Sequence, residues 1–239
     1  MKTKVFIFLA ALSFSAATST AQEAKTMYIM KNGGITHEIA VSDIDSVIFY
    51  KPSIDLLTYD EGVIIGGIKW ATRNVDKPGT FTANPEDPGM FYQWNSKVGW
   101  KYSAPLTPSD GTSTWKSDWN GNGAASWEKS NDPCPAGWRM PSQGELNALR
   151  SSGSVWMTVN SMNGRRFGSG SNTVFLPAAG HRVNVGGTLD GAGSGGYYWS
   201  STALGYGESL AYYLHFGSGS AYLYNSHRAN GISCRCVAE

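Results

Sequence analysis

The stretch "SLAYYLHFGSGSAYLYN", residues 209–225, decides how the chain is read. Two short aromatic runs are separated by Gly and Ser. In the first run, alternation places Tyr212, Leu214 and Phe216 on one face and Ala211, Tyr213 and His215 on the other, the period of a half-buried strand. The first set is expected in the core and the second on an exposed surface. By the same rule Tyr222 and Tyr224 share a face. Working outward, "NTVFLPAAGHRV", "GYYWSST" and "GISCRCV" also read as strands, with Gly, Asn, Ser or Pro interrupting about every ten residues. A helix is expected once, of about two to three turns. There Ser142 stands three residues before Glu145 and just ahead of Leu146 and Leu149, the spacing of a capping box. The expected fold class is α+β and β-rich.

Composition agrees with that class. Charged residues make up 15% of the 239, against roughly 25% in ordinary soluble domains, while Gly numbers 29 and Trp 9. Such a balance favours a loop-rich, aromatic-packed domain over helices laced with ion pairs. A net charge of +1 without a basic cluster argues against a nucleic-acid or anionic-membrane partner, because phosphate binding needs concentrated positive charge, and neither is expected.

The start of the chain reads as an export signal. Lys2 and Lys4 precede "VFIFLAALSF", and small residues lead to Ser19-Thr20-Ala21, so residues 1–21 are expected to be a signal peptide cut after Ala21. The apolar run is too short to span a bilayer, and direct membrane insertion is not expected. Residues 26–50 read as a small β unit. "TMYIM" and "ITHEIAV" flank Lys31-Asn32-Gly33-Gly34, a strong hairpin signal, and "VIFY" follows as a third strand. Residues 51–61 read as a linker and 62–239 as the main domain.

Export makes Cys134, Cys234 and Cys236 candidates for disulfide chemistry. Cys234 and Cys236 are expected to face the same way, so either can meet Cys134 and one thiol is left over. A bridge closing a loop of about 100 residues is worth about 4 kcal/mol in the chain-entropy model.

The motifs "GGIKWATRNV", "GMFYQWN", "NDPCPAGWRMPSQGELNAL", "FLPAAGHR", "GYYWSST" and "GISCRCV" resemble the Fibrobacter succinogenes major paralogous domain family across about residues 62–237. The resemblance implies a C-type-lectin-like fold of the formylglycine-generating-enzyme subtype, in which a twisted antiparallel sheet carries a helix and long loops. The hairpin unit resembles one found ahead of such domains in secreted Bacteroidetes proteins. From Tyr198 on, "YWSST", Leu214 with Phe216, Arg228 followed by Gly231, and "RCV" resemble the variable region of diversity-generating retroelement target proteins. That likeness implies that residues between Ala203 and Asn230 vary by copying of template adenines, and that Cys234 stands where such domains more often carry Val.

The residues also argue for binding directly. Tyr197, Tyr198, Tyr206, Tyr212, Tyr213, Tyr222 and Tyr224 lie near the C-terminus among Gly, Ser, Asn and His. Antibody paratopes use that mixture, because Tyr gives broad amphipathic contact with few rotors and the small polar residues adapt. The expected ligand contacts are Tyr206, Ser209, Tyr213, His215, Tyr222, Tyr224, Asn225, His227 and Asn230, toward a protein or glycan at a cell surface. Trp70, Trp94, Trp138 and Trp199 are expected to be scaffold. The alternative is a structural or adhesin subunit of a surface fibre with a fixed binding surface.

Signals for catalysis or cofactors fail on their chemistry. Formylglycine-generating catalysis needs cysteines that "GGYYWSSTALGYGESL" lacks. Calcium-dependent sugar loops, Glu-Pro-Asn or Gln-Pro-Asp with Trp-Asn-Asp, are missing. "DWNGNGAASWEK" places Asp118, Asn120, Asn122 and Gly123 like a calcium loop but has Lys129 where a bidentate Glu is needed, so it reads as an Asn-Gly turn. "GAGSGG", 191–196, leads into a strand and so offers no helix dipole to a phosphate. His37, His181, His215 and His227 have no partners at metal-ligand spacing. No cofactor, metal or enzyme activity is expected.

Overall fold

Two alternating stretches at the start of the chain pair with each other. In the computed structural model, which describes residues 26–31, 34–43, 57–205 and 209–239, β1 (Thr26–Lys31) runs antiparallel to β2 (Gly34–Ala40). The expected signal segment, the turn residues Asn32-Gly33, the third strand "VIFY", most of the expected linker and Tyr206 lie outside the described residues. The chain divides into two units, Met1–Ser53 and Ile54–Glu239.

The second unit contains β3 (Val63–Ile65), β4 (Ile68–Trp70), β5 (Phe91–Tyr92), β6 (Gly99–Trp100), β7 (Trp138–Arg139), α1 (Gln143–Ser151), β8 (Ser154–Val159), β9 (Met162–Ser169), β10 (Asn172–Pro177), β11 (His181–Arg182), β12 (Leu189–Asp190), β13 (Gly196–Ala203), β14 (Leu210–Phe216), β15 (Ala221–His227), β16 (Ile232–Ser233) and β17 (Val237–Ala238). Of the described residues about 38% are in strands and about 9% in helices, so this part of the protein is β-rich with a minor helical part. The largest sheet has six strands in the order β15-β14-β13-β16-β5-β6; β3-β4-β17-β7, β10-β9-β8 and β11-β12 form the others.

That large sheet separates two apolar cores. Tyr198, Leu214 and Phe216 project into one with Leu146, Leu149 and Phe167. Their neighbours Trp199, Ala203 and Ala211 project into the other with Trp94, Trp127 and Trp138. Alternation along β13 and β14 thus serves both cores, which is why these strands combine large apolar residues at successive positions. Trp70, Trp94 and Trp199 are fully buried and Trp138 nearly so.

Helix α1 begins as its sequence dictates. Ser142 Oγ accepts from the Glu145 N–H at 3.2 Å, and Glu145 Oε2 accepts from the Ser142 N–H at 2.7 Å. Arg139 forks onto the same carboxylate at 2.9 and 2.6 Å, and this hydrogen-bonded ion pair pulls the Glu145 pKa down to about 2. Leu146 and Leu149 carry the buried face.

Two of the expected strands are shorter than their apolar runs. "NTVFLPAAGHRV" breaks after Pro177, where Gly180 takes φ +73° and a Cβ would stand 2.3 Å from the Asp190 carbonyl oxygen, so only glycine fits. "GISCRCV" breaks at 234–236, where the backbone turns its carbonyls to Val75 and Ala71.

Buried arginines tie the loops to this frame. Arg235 donates to Asn74 Oδ1 at 3.0 Å and to the carbonyls of Ala71 at 3.1 Å and Phe175 at 3.0 Å. Arg228 donates to the carbonyls of Leu210, Asn120 and Ala124 and lies 4.3 Å over the Trp94 ring. Arg182 donates to the carbonyls of Lys101, Tyr102 and Gly187. Each of these buried side chains thus donates to more than one backbone carbonyl. A disulfide joins Cys134 to Cys236 across a separation of 102 residues, and Cys234 is a buried free thiol.

Candidate functional site

The register of three strands assembles the site. Tyr197 of β13 lies opposite His215 of β14, which lies opposite Tyr222 of β15. Two residues along, Trp199 lies opposite Tyr213, which lies opposite Tyr224. Directly opposed residues share a sheet face, so these six side chains form two parallel cross-strand rows. His181, on β11, extends the first row by packing 4.4 Å from the Tyr197 ring.

The rings form a continuous strip. Centroids are 4.7 Å apart for Tyr197 and His215, 5.9 Å for the stacked Tyr197 and Tyr213, and 6.0 Å for Trp199 and Tyr213. Toward the sheet edge, His215 and Tyr224 are separated by 6.4 Å and Tyr222 and Tyr224 by 5.8 Å. Exposure rises strand by strand: Trp199 is fully buried, Tyr213 is half-buried, and Tyr222 and Tyr224 are 48% and 51% exposed. Tyr59 is as open, at 48%, but Tyr222 and Tyr224 differ in lying side by side, continuous with the ring contacts of the strip.

Electrostatics keep the strip neutral. Burial pushes the Tyr213 phenol up to about 12, with Tyr197 and Tyr224 adding smaller effects, and raises Tyr197 as well. Burial also lowers the pKa of His215 and His181; for His181 the Asp190 carboxylate partly opposes this. Neutral His181 and His215 therefore face the rings at pH 7. Among the described residues no group of three His, Cys, Asp or Glu side chains is placed to hold a metal ion.

Of the nine expected contacts, the eight within the described residues are redistributed. Tyr213, His215, Tyr222 and Tyr224 share the strip. Asn225 and His227 lie opposite Tyr212 and Leu210, hence on the reverse face of β15, because a strand presents successive side chains to opposite sides. Asn230 is committed to a turn: its Oδ1 accepts from the Asn184 N–H at 2.6 Å and its Nδ2 donates to Ser226 Oγ at 2.7 Å. Ser209 is exposed just ahead of β14.

The expected faces of β14 also need correction. Ala211 is fully buried, because the end of the strip next to it is covered by the core around Trp94 and Trp127. Tyr212, expected inside, is only half-buried, since its neighbours Asn225 and His227 lie past the covered part of the reverse face. Tyr213 packs on the framework through Trp199 and Tyr197. Cys234 is fully buried in that core and is no part of an outer surface.

Sequence reasoning missed Tyr197, Trp199 and His181 as neighbours of the strip. Alternation in "GYYWSST" places Tyr197 and Trp199 on one face; only the register says that this face is the one bearing Tyr213. A separate cavity of about 440 Å³ is lined by Asp76, Lys77, Phe81, Met90, Lys101 and Tyr102 among others, and shares no residue with the strip. No helix among the described residues is long and apolar enough to cross a membrane.

A family model described as a domain of unknown function (DUF8237) matches residues 154–237, a span that begins with β8 and includes every strand of the aromatic strip. None of the curated proteins and none of the solved structures matches the chain.

Proposed function

We propose that the protein is an exported ligand-binding protein whose second unit has a C-type-lectin-like architecture and presents the β13–β15 strip to a protein or glycan at a cell surface. One observation carries the reading: Tyr222 and Tyr224 stay about half exposed at the sheet edge while Tyr213, His215 and Tyr197 brace them from within. A rigid aromatic centre with adaptable small polar residues around it is how binding surfaces concentrate affinity. The β-rich unit, its disulfide and the one α-helix among its described residues support the architectural part, and the motifs that resemble the Fibrobacter major paralogous domain family supply the finer assignment.

The same resemblance extends the reading to retroelement diversification. The surface suits it: Tyr222 and Tyr224 project outward, so side-chain changes there leave both cores intact. Two experiments test the parts separately. The chain from Gln22 onward is applied to a printed glycan array and to a panel of immobilised bacterial surface proteins; saturable binding that Tyr224→Ala removes supports the reading, and binding unaffected by that change sinks it. Sequencing the DNA around the gene tests diversification. A near-copy of the segment encoding residues 200–235, differing where the copy has adenine, is expected; no such copy and no reverse transcriptase gene nearby would remove that part and leave a fixed binder.

A further inference from the structure

β15 is the outermost strand of the six-stranded sheet and pairs with β14 in unbroken register, from His227 opposite Leu210 to Ala221 opposite Phe216. An edge strand exposes a row of N–H and C=O groups, and folded proteins discourage pairing there with Lys, Pro, a bulge or a very short strand. β6, at the far edge of the same sheet, is two residues long, and the edge strand β10 ends in Pro177. β15 uses none of these devices. It has seven residues, "AYLYNSH", without Pro, Lys, Arg, Asp or Glu, and its register shows no bulge.

From this we infer that β15 is an assembly edge, and that its occupant is β15 of a second copy of this chain, running antiparallel about a two-fold axis through Tyr224. The strand is complementary to itself in that register. Tyr224 meets Tyr224 of the second copy, Tyr222 meets Ser226, Leu223 meets Asn225 and Ala221 meets His227. β15 carries no Asp, Glu, Lys or Arg, so this pairing sets no formal charge against another. The residues on the tyrosine side of one copy stay on the tyrosine side of the next, so the sheet and the aromatic strip both continue across the axis. The inference concerns the backbone edge and stands whether or not the strip binds a ligand.

Light scattering and sedimentation of the chain from Gln22 onward, over a dilution series with no ligand present, test it by mass alone. A dimer that dissociates on dilution is expected. Tyr224→Lys and Tyr224→Glu each set two like charges at the axis, and each is expected to weaken dimerisation by at least about tenfold while the monomer keeps the wild-type circular dichroism spectrum, since Tyr224 is half exposed. An equimolar mixture of the two variants sets Lys against Glu and is expected to recover the dimer. A wild-type chain that is monomeric at every concentration overturns the inference. So does a variant that dimerises as wild type does, or a mixture that stays monomeric. Ligand capture is read in a separate assay, so a failure there is distinguishable from a failure to dimerise.

Discussion

Tyr213 and Tyr224 lie opposite each other on adjacent strands, yet they differ in what rests on them. Tyr213 packs against Trp199 and Tyr197, so Tyr213→Ala is expected to cost about 2 kcal/mol in chemical denaturation. Tyr224→Ala removes a ring that is 51% exposed and is expected to stay within about 0.5 kcal/mol. Histidines of the strip give a pH signature. The folded pKa values of His181 and His215 lie below the unfolded 6.5, chiefly through burial, so the unfolded chain binds more protons just below that pH. The contribution of both groups to stability is complete above pH 6.5 and is lost as pH falls through their folded values. Imidazole resonances followed by NMR should titrate below 6.5 in the folded protein, and a midpoint at or above it for either residue would contradict the burial argument. Alternation alone put Leu214 and Phe216 in the core and Tyr222 and Tyr224 on one shared face, but it could not foresee Asn230, whose amide is taken by the backbone N–H of Asn184 and the hydroxyl of Ser226.

At the scale of elements, local signals were legible where short-range physics decides. The capping box at Ser142 and Glu145 fixes the start of α1, and the Asn-Gly signal between residues 31 and 34 lies between two paired strands. Register was not legible, because it depends on which strands meet. That is why Asn225 and His227 were grouped with tyrosines that lie on the other face. Broken strands were likewise hidden, since the break at Gly180 answers to the carbonyl of Asp190 on another strand, and the break at 234–236 to Val75 and Ala71, far away in sequence. Arg235 is the element whose removal should tell most. It is fully buried and joins Asn74, Ala71 and Phe175, so Arg235→Met strands two carbonyls and an amide oxygen without water. A loss of about 3 kcal/mol or more is expected in urea unfolding, and a loss below about 1 kcal/mol would show that the clamp is dispensable. Ser142→Ala, which removes one cap bond of α1, should cost about 1 kcal/mol in the same assay.

Across the whole molecule, two cores on either side of one sheet free a single stretch of that sheet from structural duty. The bridge from Cys134 to Cys236 pins the last strand region to the loop before β7, and loss of a crosslink spanning 102 residues is expected to lower stability by about 4 kcal/mol. Calorimetry with and without reductant measures this. Burial raises the Cys234 thiol pKa well above its ordinary value, so alkylation should leave this residue untouched until the protein unfolds. The most direct measurement is a paired one on Tyr222→Ala/Tyr224→Ala: thermal unfolding and array binding on the same preparation. The account predicts an unfolding curve close to wild type together with loss of array binding; a large drop in melting temperature, or binding that survives intact, would contradict it.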